Sequence, residues 1–213
     1  MDYTTIPQEL KAISQWVCWI GEHRDGKFNK YPVNPKTGRN ASHSNASTWT
    51  NFTIAKAFHE QQKPVEVTVN RGKKTERKVT GIADGIGFVF SKDDPHVGID
   101  LDNCRDLKTG EIEPWAQELI QLAKTYSEVS PSGTGVKLWG KGRIPGNKGK
   151  RNDHYQTGGI EMYPHHRFFT VTGQHLDGTP LEIAENQAAI EAIYFRAFAH
   201  IDKPEPNTTL SST

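Results

Sequence analysis

The chain has 213 residues, of which 34% are hydrophobic and 24% charged, a composition typical of a folded globular protein rather than a disordered one. No stretch is apolar over the length of a membrane span, and the N-terminal residues lack the basic and apolar regions of a signal peptide. The two cysteines are too few for a disulfide framework. We therefore expect a cytoplasmic protein with no membrane partner, and its net charge of +1 does not by itself indicate a nucleic-acid ligand.

The N-terminal part of the chain predicts one strand, a long loop and one helix. Residues 15–20 are aromatic and β-branched, which favours a buried strand. Prolines and glycines between 21 and 47 indicate a loop. Residues 50–62 have apolar side chains at helical spacing, with Ile54 and Phe58 on the face expected to be buried.

A basic β-hairpin insertion is predicted at 63–80. Residues 65–69 alternate between apolar and polar side chains, and an Asn-Arg-Gly turn follows before a second run that can return as the partner strand. Such a local excess of bases can bind a polyanion even in a nearly neutral protein, although a solvated loop is the alternative. The hairpin residues expected to contact DNA are Arg71, Lys73 and Lys74.

The remainder predicts further strands and two helices. Proline at 114 opens one helix, and a second is predicted at 182–200. The predicted strands lie at 86–90, 97–101, 126–130, 136–140, 160–163 and 167–172. This order predicts an α+β fold, a mostly antiparallel mixed sheet with flanking helices, in one domain over 1–200. Residues 201–213 resemble a linker toward a further domain.

Three acids form a candidate metal site. Asp100 and Asp102 are two residues apart, so a strand places both side chains on the same face. Two such carboxylates repel each other unless a cation lies between them, and hard divalent cations prefer carboxylate oxygens. Glu161 lies among apolar neighbours on another predicted strand, where a charge needs a partner. A metal shared by the three acids is one possible partner, and an ion pair with Arg167 or another base is the alternative.

A candidate anion-binding turn precedes one of the predicted strands. Residues 130–135 read Ser-Pro-Ser-Gly-Thr-Gly, and such turns expose backbone N–H groups, here around Ser132 and Gly133, that bind anions. Lys137 adds a point charge suited to phosphate, and Arg167 offers a fork of donors to a triphosphate. The alternatives are an ordinary glycine-rich hairpin turn and a surface arginine.

A second basic segment lies at 137–154, where the bases expected to contact a DNA template are Lys148, Lys150 and Arg151. With the acids, the turn and the phosphate ligands, the chain has the residue types that two-metal phosphoryl transfer requires.

These residues resemble the primase-polymerases of the archaeo-eukaryotic primase superfamily, as found in phages and plasmids. The apolar strand with Asp-x-Asp is similar to the family's first motif, and Ile160-Glu161 is similar to its third. The run at 167–173, Arg-Phe-Phe-Thr-Val-Thr-Gly, resembles an arginine-led strand of close relatives. Tryptophan, Lys-Tyr-Pro and Asn-Pro residues between 16 and 49 are similar to the phage members. The resemblance covers residues 10–180.

The resemblance implies a primase-polymerase catalytic fold with an RRM-like palm. It implies template-directed joining of nucleoside triphosphates, with Mg²⁺ or Mn²⁺ held by Asp100, Asp102 and Glu161. It also implies a single-stranded DNA template and a helicase domain on the same full-length chain. The family's second motif usually has a histidine where this chain has Lys137. Lysine can still bind phosphate, but with an ordinary pKa of about 10.4 it would not exchange protons near neutrality.

Two other functions remain open from the residues alone. His165 and His166 beside Tyr163, with Tyr155 nearby, suggest a replication-initiator nuclease with a tyrosine nucleophile. Adjacent histidines on a strand face opposite ways, however, and chelate one metal poorly. The other is a non-catalytic single-stranded DNA-binding module, which would stack bases on aromatic side chains but has no need of three placed acids. The candidate stacking residues are Phe28, Trp49, Trp139 and Tyr155.

Overall fold

The computed structural model describes residues 1–71 and 75–199. Its helices are α1 (Gln8–Lys11), α2 (Phe52–Glu60), α3 (Pro114–Ala123) and α4 (Gln187–Phe198). Its strands are β1 (Trp16–Arg24), β2 (Lys27–Asn34), β3 (Arg39–Asn40), β4 (Pro64–Arg71), β5 (Thr75–Ile82), β6 (Gly85–Phe90), β7 (His96–Asp102), β8 (Ser127–Val129), β9 (Val136–Lys141), β10 (Lys150–Tyr155), β11 (Gly158–Tyr163), β12 (Arg167–Val171) and β13 (Ala184–Glu185). The predicted α+β class with mostly antiparallel sheets is confirmed. The predicted linker at 201–213 lies outside the described residues. None of the described helices combines the length and the apolar character of a membrane span.

The first sheet has the strand order β12-β6-β1-β2-β3, with antiparallel pairing throughout. The prediction of a loop over 21–47 is wrong for much of that segment, because β1 continues to Arg24 and pairs with the whole length of β2 up to Val33. Pro32 fits within β2 because its carbonyl accepts from the Ala41 N–H, on the side away from β1. The N and O of a strand residue point to the same side, so the missing N–H costs no bond to β1.

The second sheet has the order β10-β11-β7-β9, and both β8 and β13 pair with the outer edge of β9. Side chains alternate along β7, so Val97, Ile99 and Leu101 point into a buried cluster with α3 and α4. Asp100 and Asp102 point to the opposite face. The helices therefore cover one face of this sheet, and the other face is left to the first sheet and to a cleft.

The two sheets meet through aromatic side chains. Phe88, Phe90, Trp139 and Phe169 contact one another with ring centroids 4.9–6.0 Å apart, mostly edge to face. Gly98 of β7 allows this approach, since a Cβ there would lie 2.5 Å from the Phe169 ring. Aromatic pairs of this kind stabilise by about 0.5–1.5 kcal/mol beyond their buried area. This contact holds one end of the sheets together, and the polar end of β7 lines the cleft between them.

The predicted hairpin is formed by β4 and β5 and packs on the first sheet. Val65, Val67 and Val79 are buried in the core of that sheet. Asn40 of β3 exchanges two hydrogen bonds with the backbone of Thr68, at 2.8 and 2.9 Å. The apolar side of the hairpin therefore belongs to the core of the domain.

The helix predicted at 50–62 is α2, with one error in its buried face. It begins after Asn51, whose side chain accepts a hydrogen bond from the Ile54 N–H. Ala55 and Phe58 are buried, whereas Ile54 is 41% exposed. A residue adjacent to a buried one is rotated by about 100° around the helix, which is enough to move Ile54 off a narrow buried face.

Two further elements differ from the predictions near the C-terminus. The helix predicted over 182–200 begins only after Asn186, which caps α4 by accepting from the Ala189 N–H, because the residues before it pair with β9 as β13. Strand β10 was not predicted, since Lys-Arg-Asn-Asp-His-Tyr has no apolar alternation. It forms at the sheet edge through pairing with β11.

Candidate active site

Charged side chains form a row across the second sheet. Strand pairing places them side by side in the order Arg151, Glu161, Asp100, Lys137 and Glu128, one from each of β10, β11, β7, β9 and β8. Directly paired residues on neighbouring strands point to the same face. The row therefore brings two of the predicted metal ligands together with a predicted phosphate ligand.

A cleft of about 430 Å³ lies between this row and the first sheet. The second sheet contributes Asp100, Lys137 and Glu161, and the first sheet contributes side chains from β2 and β12, including Lys30 and Phe28. A cleft of this volume is in the range that binds small molecules such as nucleotides.

Asp100 and Lys137 form an ion pair at the inner wall of the cleft. The Lys137 side chain is only 4% exposed, and its ammonium nitrogen lies 4.4 Å from the centroid of the Phe169 ring. One oxygen of Asp100 takes part in the pair, while Oδ1 is buried and accepts no hydrogen bond from the described residues. Because a buried polar atom without a partner is costly, this oxygen favours a further cation.

Asp102 lies on the same face at the end of β7. Its pKa is raised to about 6, first by burial and then by the negative charges of Asp100 and Glu161, while Lys137 and Lys30 act in the opposite direction. The repulsion among these carboxylates is what a divalent cation would relieve.

Glu161 has a base of the chain as its partner. Arg151 Nε lies 3.1 Å from Glu161 Oε1 and also pairs with Asp153. The ion pair considered as an alternative for Glu161 is thus present, but with Arg151 and not with Arg167. The Arg167 guanidinium donates to the Tyr163 hydroxyl at 2.9 Å and stacks on that ring, 4.5 Å from its centroid.

The acids fit a divalent metal by their chemistry, although their present contacts are with bases. Among residues 1–71 and 75–199, no three His, Cys, Asp or Glu side chains are arranged to hold a metal ion together. Lys137 and Arg151 instead pair with two of the three predicted ligands. Three carboxylates nevertheless share a face, and one of their oxygens is buried without a partner. The metal site stays a prediction, and it requires these ion pairs to loosen.

The remaining wall of the cleft carries basic residues. Arg167 and His43 both line the cleft. The pKa of His43 is lowered, first by burial and then by the positive charges of Arg167 and His166. Lys30 faces the acids, and its pKa is lowered by burial and by Lys137, while the three carboxylates raise it. Acids therefore lie on one side of the cleft and bases surround them.

The predicted anion-binding turn lies beside Asp102 but does not line the cleft. A Cβ on Gly135 would lie 2.6 Å from the Leu101 carbonyl oxygen, which shows how closely the turn packs on β7. Within the turn, Gly133 N–H donates to the Ser130 carbonyl at 2.9 Å and Ser132 Oγ lies 2.9 Å from Ser130 Oγ. These groups are used internally, so the role of Ser132 and Gly133 in nucleotide binding stays a prediction.

The second basic segment is divided between the two faces of the sheet. Lys148 is exposed before β10 begins. Lys150 points to the helix side, where its ammonium nitrogen lies 5.1 Å from the centroid of the Tyr194 ring and 6.0 Å from that of Phe198. Arg151 points to the cleft side, beside Glu161. The structure therefore does not bring the three predicted DNA ligands together.

The hairpin bases are only partly described. Lys73, Lys74 and the side chain of Arg71 lie outside the described residues. Of the other hairpin bases, Arg77 pairs with Glu22, and Lys78 Nζ lies 3.1 Å from Glu66 Oε1, so part of the predicted positive charge is neutralised.

The residues of the two competing functions are dispersed. Tyr163 is 8% exposed and engaged with Arg167, whereas Tyr155 packs against Trp115 on the helix side, with ring centroids 5.4 Å apart. Of the candidate stacking residues, Trp139 and Trp49 are buried, and Phe28 is 44% exposed at the cleft.

Glu128 ends the charged row in the interior. Its carboxylate accepts hydrogen bonds at 3.0–3.1 Å from the backbone N–H groups of Thr172 and Gly173 and from the Tyr126 hydroxyl. Burial raises its pKa to about 7, against these hydrogen bonds and the charge of Lys137. The carboxylate thereby ties the end of β12 to β8.

This buried acid predicts a pH-dependent stability. Since the raised pKa of Glu128 lets the folded chain bind a proton more tightly than the unfolded chain, stability from this group is lost as pH rises from about 4.5 to about 7. The loss should be roughly 3 kcal/mol. Urea unfolding measures the free energy of unfolding across that pH range. This free energy should change less with pH in Glu128→Gln than in the wild type, whereas Glu182→Gln, at an exposed position, should follow the wild type. A profile of Glu128→Gln identical to the wild type would contradict the assignment.

The lining residues Lys30 and His43 were not predicted as site residues, and Phe28 was predicted only as a candidate stacking residue of the non-catalytic module. Phe28, Lys30 and His43 all lie in the segment interpreted as a loop. Alternation of Phe28, Lys30 and Pro32 was the available signal, and the prolines and glycines around it obscured that signal.

The fold and the cleft define the class of this domain, an α+β scaffold whose two sheets enclose a cleft with acids on one side and bases around them. The chain is 33% identical over 172 residues to the DNA primase-polymerase of Nitratiruptor phage NrS-1, an alignment that covers 79% of this chain and 21% of that relative. The chain thus spans about a fifth of the length of the curated relative it matches. No protein-family model matches the chain. This similarity and this fold support a primase-polymerase domain in the chain.

Proposed function

We propose that the chain is a nucleotidyltransferase that joins nucleoside triphosphates on a single-stranded DNA template, with its active site in the cleft. The observation that carries this proposal is the pairing of Glu161 with Asp100, and of Asp100 with Lys137, across adjacent strands. That register supports a site where acids and a phosphate-binding base meet in a space suited to a nucleotide. The relative's name, DNA primase-polymerase, supports the same reaction class.

The reaction is an in-line displacement at phosphorus. A 3′-oxygen loses its proton and forms a bond to the α-phosphorus of a nucleoside triphosphate, and the bond from that phosphorus to the bridging oxygen breaks, releasing pyrophosphate. Asp100, Asp102 and Glu161 would hold Mg²⁺ or Mn²⁺, which when bound acidify the 3′-hydroxyl and offset the charge of the leaving pyrophosphate.

The bases of the cleft would position the triphosphate. Lys137 is buried against Phe169, so its ammonium group is held in one place. Arg167 is oriented by stacking on Tyr163 and by its hydrogen bond to that hydroxyl. A preorganised point charge and a planar fork of donors suit adjacent phosphate oxygens. Both would offset negative charge as it shifts toward the leaving group.

The test is incorporation of labelled nucleotides by the purified chain on primed and unprimed single-stranded templates, with Mg²⁺ or Mn²⁺. We expect metal-dependent extension of the primed template, and the unprimed template reports on initiation. A covalent DNA–tyrosine adduct would favour the nuclease instead. Template binding without metal-dependent nucleotide binding would favour the non-catalytic module.

DNA binding should depend on salt through the accessible bases of the second basic segment. Each phosphate contact with a single strand contributes a log–log slope of about −0.7. Because Arg151 and Lys150 point to opposite faces, we expect Arg151→Ala to flatten the slope by about 0.7. We expect the same change for Lys148→Ala, because Lys148 is exposed to solvent just before β10. Lys150→Ala should leave the slope unchanged and lower thermal stability instead. Template affinity against salt for the three variants measures this, and equal slopes in all of them would place the DNA elsewhere.

A further inference from the structure

One face of strand β2 presents alternate side chains of the strand to the cleft. Phe28, Lys30 and Pro32 share a face of the strand and line the cleft, whereas Lys27 lies on the opposite face and is exposed. This face of β2 belongs to the first sheet and lies opposite the acids of the second sheet. The cleft is therefore bounded on this side by an aromatic ring and an ammonium group.

Lys30 carries a charge that the present contacts do not neutralise directly. It is half-buried, and among the described residues it forms no ion pair within 4 Å. It interacts at longer range with Asp100, Asp102 and Glu161, and with the ammonium of Lys137. If divalent cations occupied the carboxylates, an ammonium group in this place would have an anionic ligand as its available partner.

Phe28 presents an exposed ring that packs on its neighbours. It is 44% exposed, although most aromatic side chains of the domain are buried. Its ring lies directly over Gly21 of β1, where any Cβ would collide with it, and it contacts His23 with ring centroids 4.8 Å apart. An exposed ring held by its neighbours offers a flat surface at low entropic cost, and base–aromatic stacking contributes about 1–3 kcal/mol per base.

We propose that the cleft-facing side chains of β2 are part of the nucleotide-binding site, with Lys30 binding a phosphate of the incoming nucleoside triphosphate and Phe28 packing against its base. Residues two apart on a strand are separated by about 7 Å, which is comparable to the distance between the base and the phosphates of one nucleotide. The inference rests on the proposed nucleotidyltransferase function and adds to it two residues that contact the substrate.

The two contacts predict different losses with two probes. Binding of a deoxynucleoside triphosphate and of inorganic tripolyphosphate is measured by calorimetry in Mg²⁺ without DNA, so that no turnover intervenes. Lys30→Gln should weaken both ligands by about 10- to 100-fold, since it removes a charged contact to phosphate. Phe28→Leu should weaken only the nucleotide, by about 5- to 100-fold. Lys30→Arg should restore most of the affinity.

Lys27→Gln is the matched control, because it removes a lysine from the same strand outside the cleft and should bind both probes like the wild type. Thermal unfolding of each variant confirms that it is folded. If Lys30→Gln and Phe28→Leu bind both ligands as tightly as Lys27→Gln, the inference is wrong while the proposed function stands. If the wild type and Lys27→Gln bind no nucleotide at all, the proposed function itself fails, and the inference with it.

Discussion

Asparagine in place of Asp100 or Asp102 should reduce nucleotide incorporation by more than about 100-fold while the domain stays folded. Asp100→Asn leaves the buried Lys137 without its partner and should therefore be the less stable of the two variants. Both carboxylates share one face of β7 and are paired in register with β11, where Glu161 completes the set. Loss of even an outer partner of a metal ligand costs about 10- to 100-fold, so loss of a ligand should cost more. Because Asp102 is destabilised by burial and by its acidic neighbours, as its raised pKa of about 6 shows, its replacement should not lower stability.

Primer extension at saturating template measures the loss, and urea unfolding measures stability. Asp177→Asn is the matched control, since Asp177 is an exposed aspartate away from the cleft. Retention of activity within a few-fold in either cleft variant, with the control unaffected, would exclude that carboxylate as a metal ligand.

Methionine in place of Lys137 should separate nucleotide binding from metal binding. Lys137 is the buried partner of Asp100, so Lys137→Met removes the proposed phosphate ligand and also releases a carboxylate. We expect a loss in kcat/KM that corresponds to about 2–4 kcal/mol of transition-state stabilisation. Affinity for Mn²⁺ should rise, because a competing cation is gone. Without metal, the unpaired Asp100 should lower the free energy of unfolding by about 3 kcal/mol, and Mn²⁺ should reverse that loss.

Steady-state kinetics and Mn²⁺ titration of the same preparation test this separation. Lys137→Arg keeps the charge and should retain part of the nucleotide affinity. Lower affinity for both nucleotide and Mn²⁺ in Lys137→Met would show that the ammonium supports the site instead of competing for Asp100.

The sequence predicted the acids of the second sheet well, because the alternation of side chains along one strand can be recognised from neighbouring residues. Alternation in β7 indicated that Asp100 and Asp102 share a face, and the structure places Glu161 beside Asp100. What the sequence does not contain is the register between strands distant in the chain. The partnership of Arg151 with Glu161 depends on the pairing of β10 with β11, and β10 has no apolar pattern by which to recognise it.

The first sheet's share of the site was harder to predict. Prolines and glycines in 21–47 are typical of loops, and only the outward direction of the Pro32 nitrogen explains how β2 pairs with β1. Lys30 was missed for that reason, and Phe28 was named only as a candidate stacking residue. Burial is also not readable from residue type, since Trp139 and Trp49 are inside and Phe28 is outside.

The most direct test of this account is to count the Mn²⁺ ions bound per chain by electron paramagnetic resonance, with and without a nucleoside triphosphate. At least one Mn²⁺ should bind to the wild type, and it should bind more tightly when the triphosphate is present, because phosphate oxygens add ligands to the metal. Mn²⁺ binding should be lost in the Asp100→Asn, Asp102→Asn double variant and unchanged in Asp177→Asn. Equal Mn²⁺ binding by the double variant and the wild type would show that these carboxylates are not the metal site.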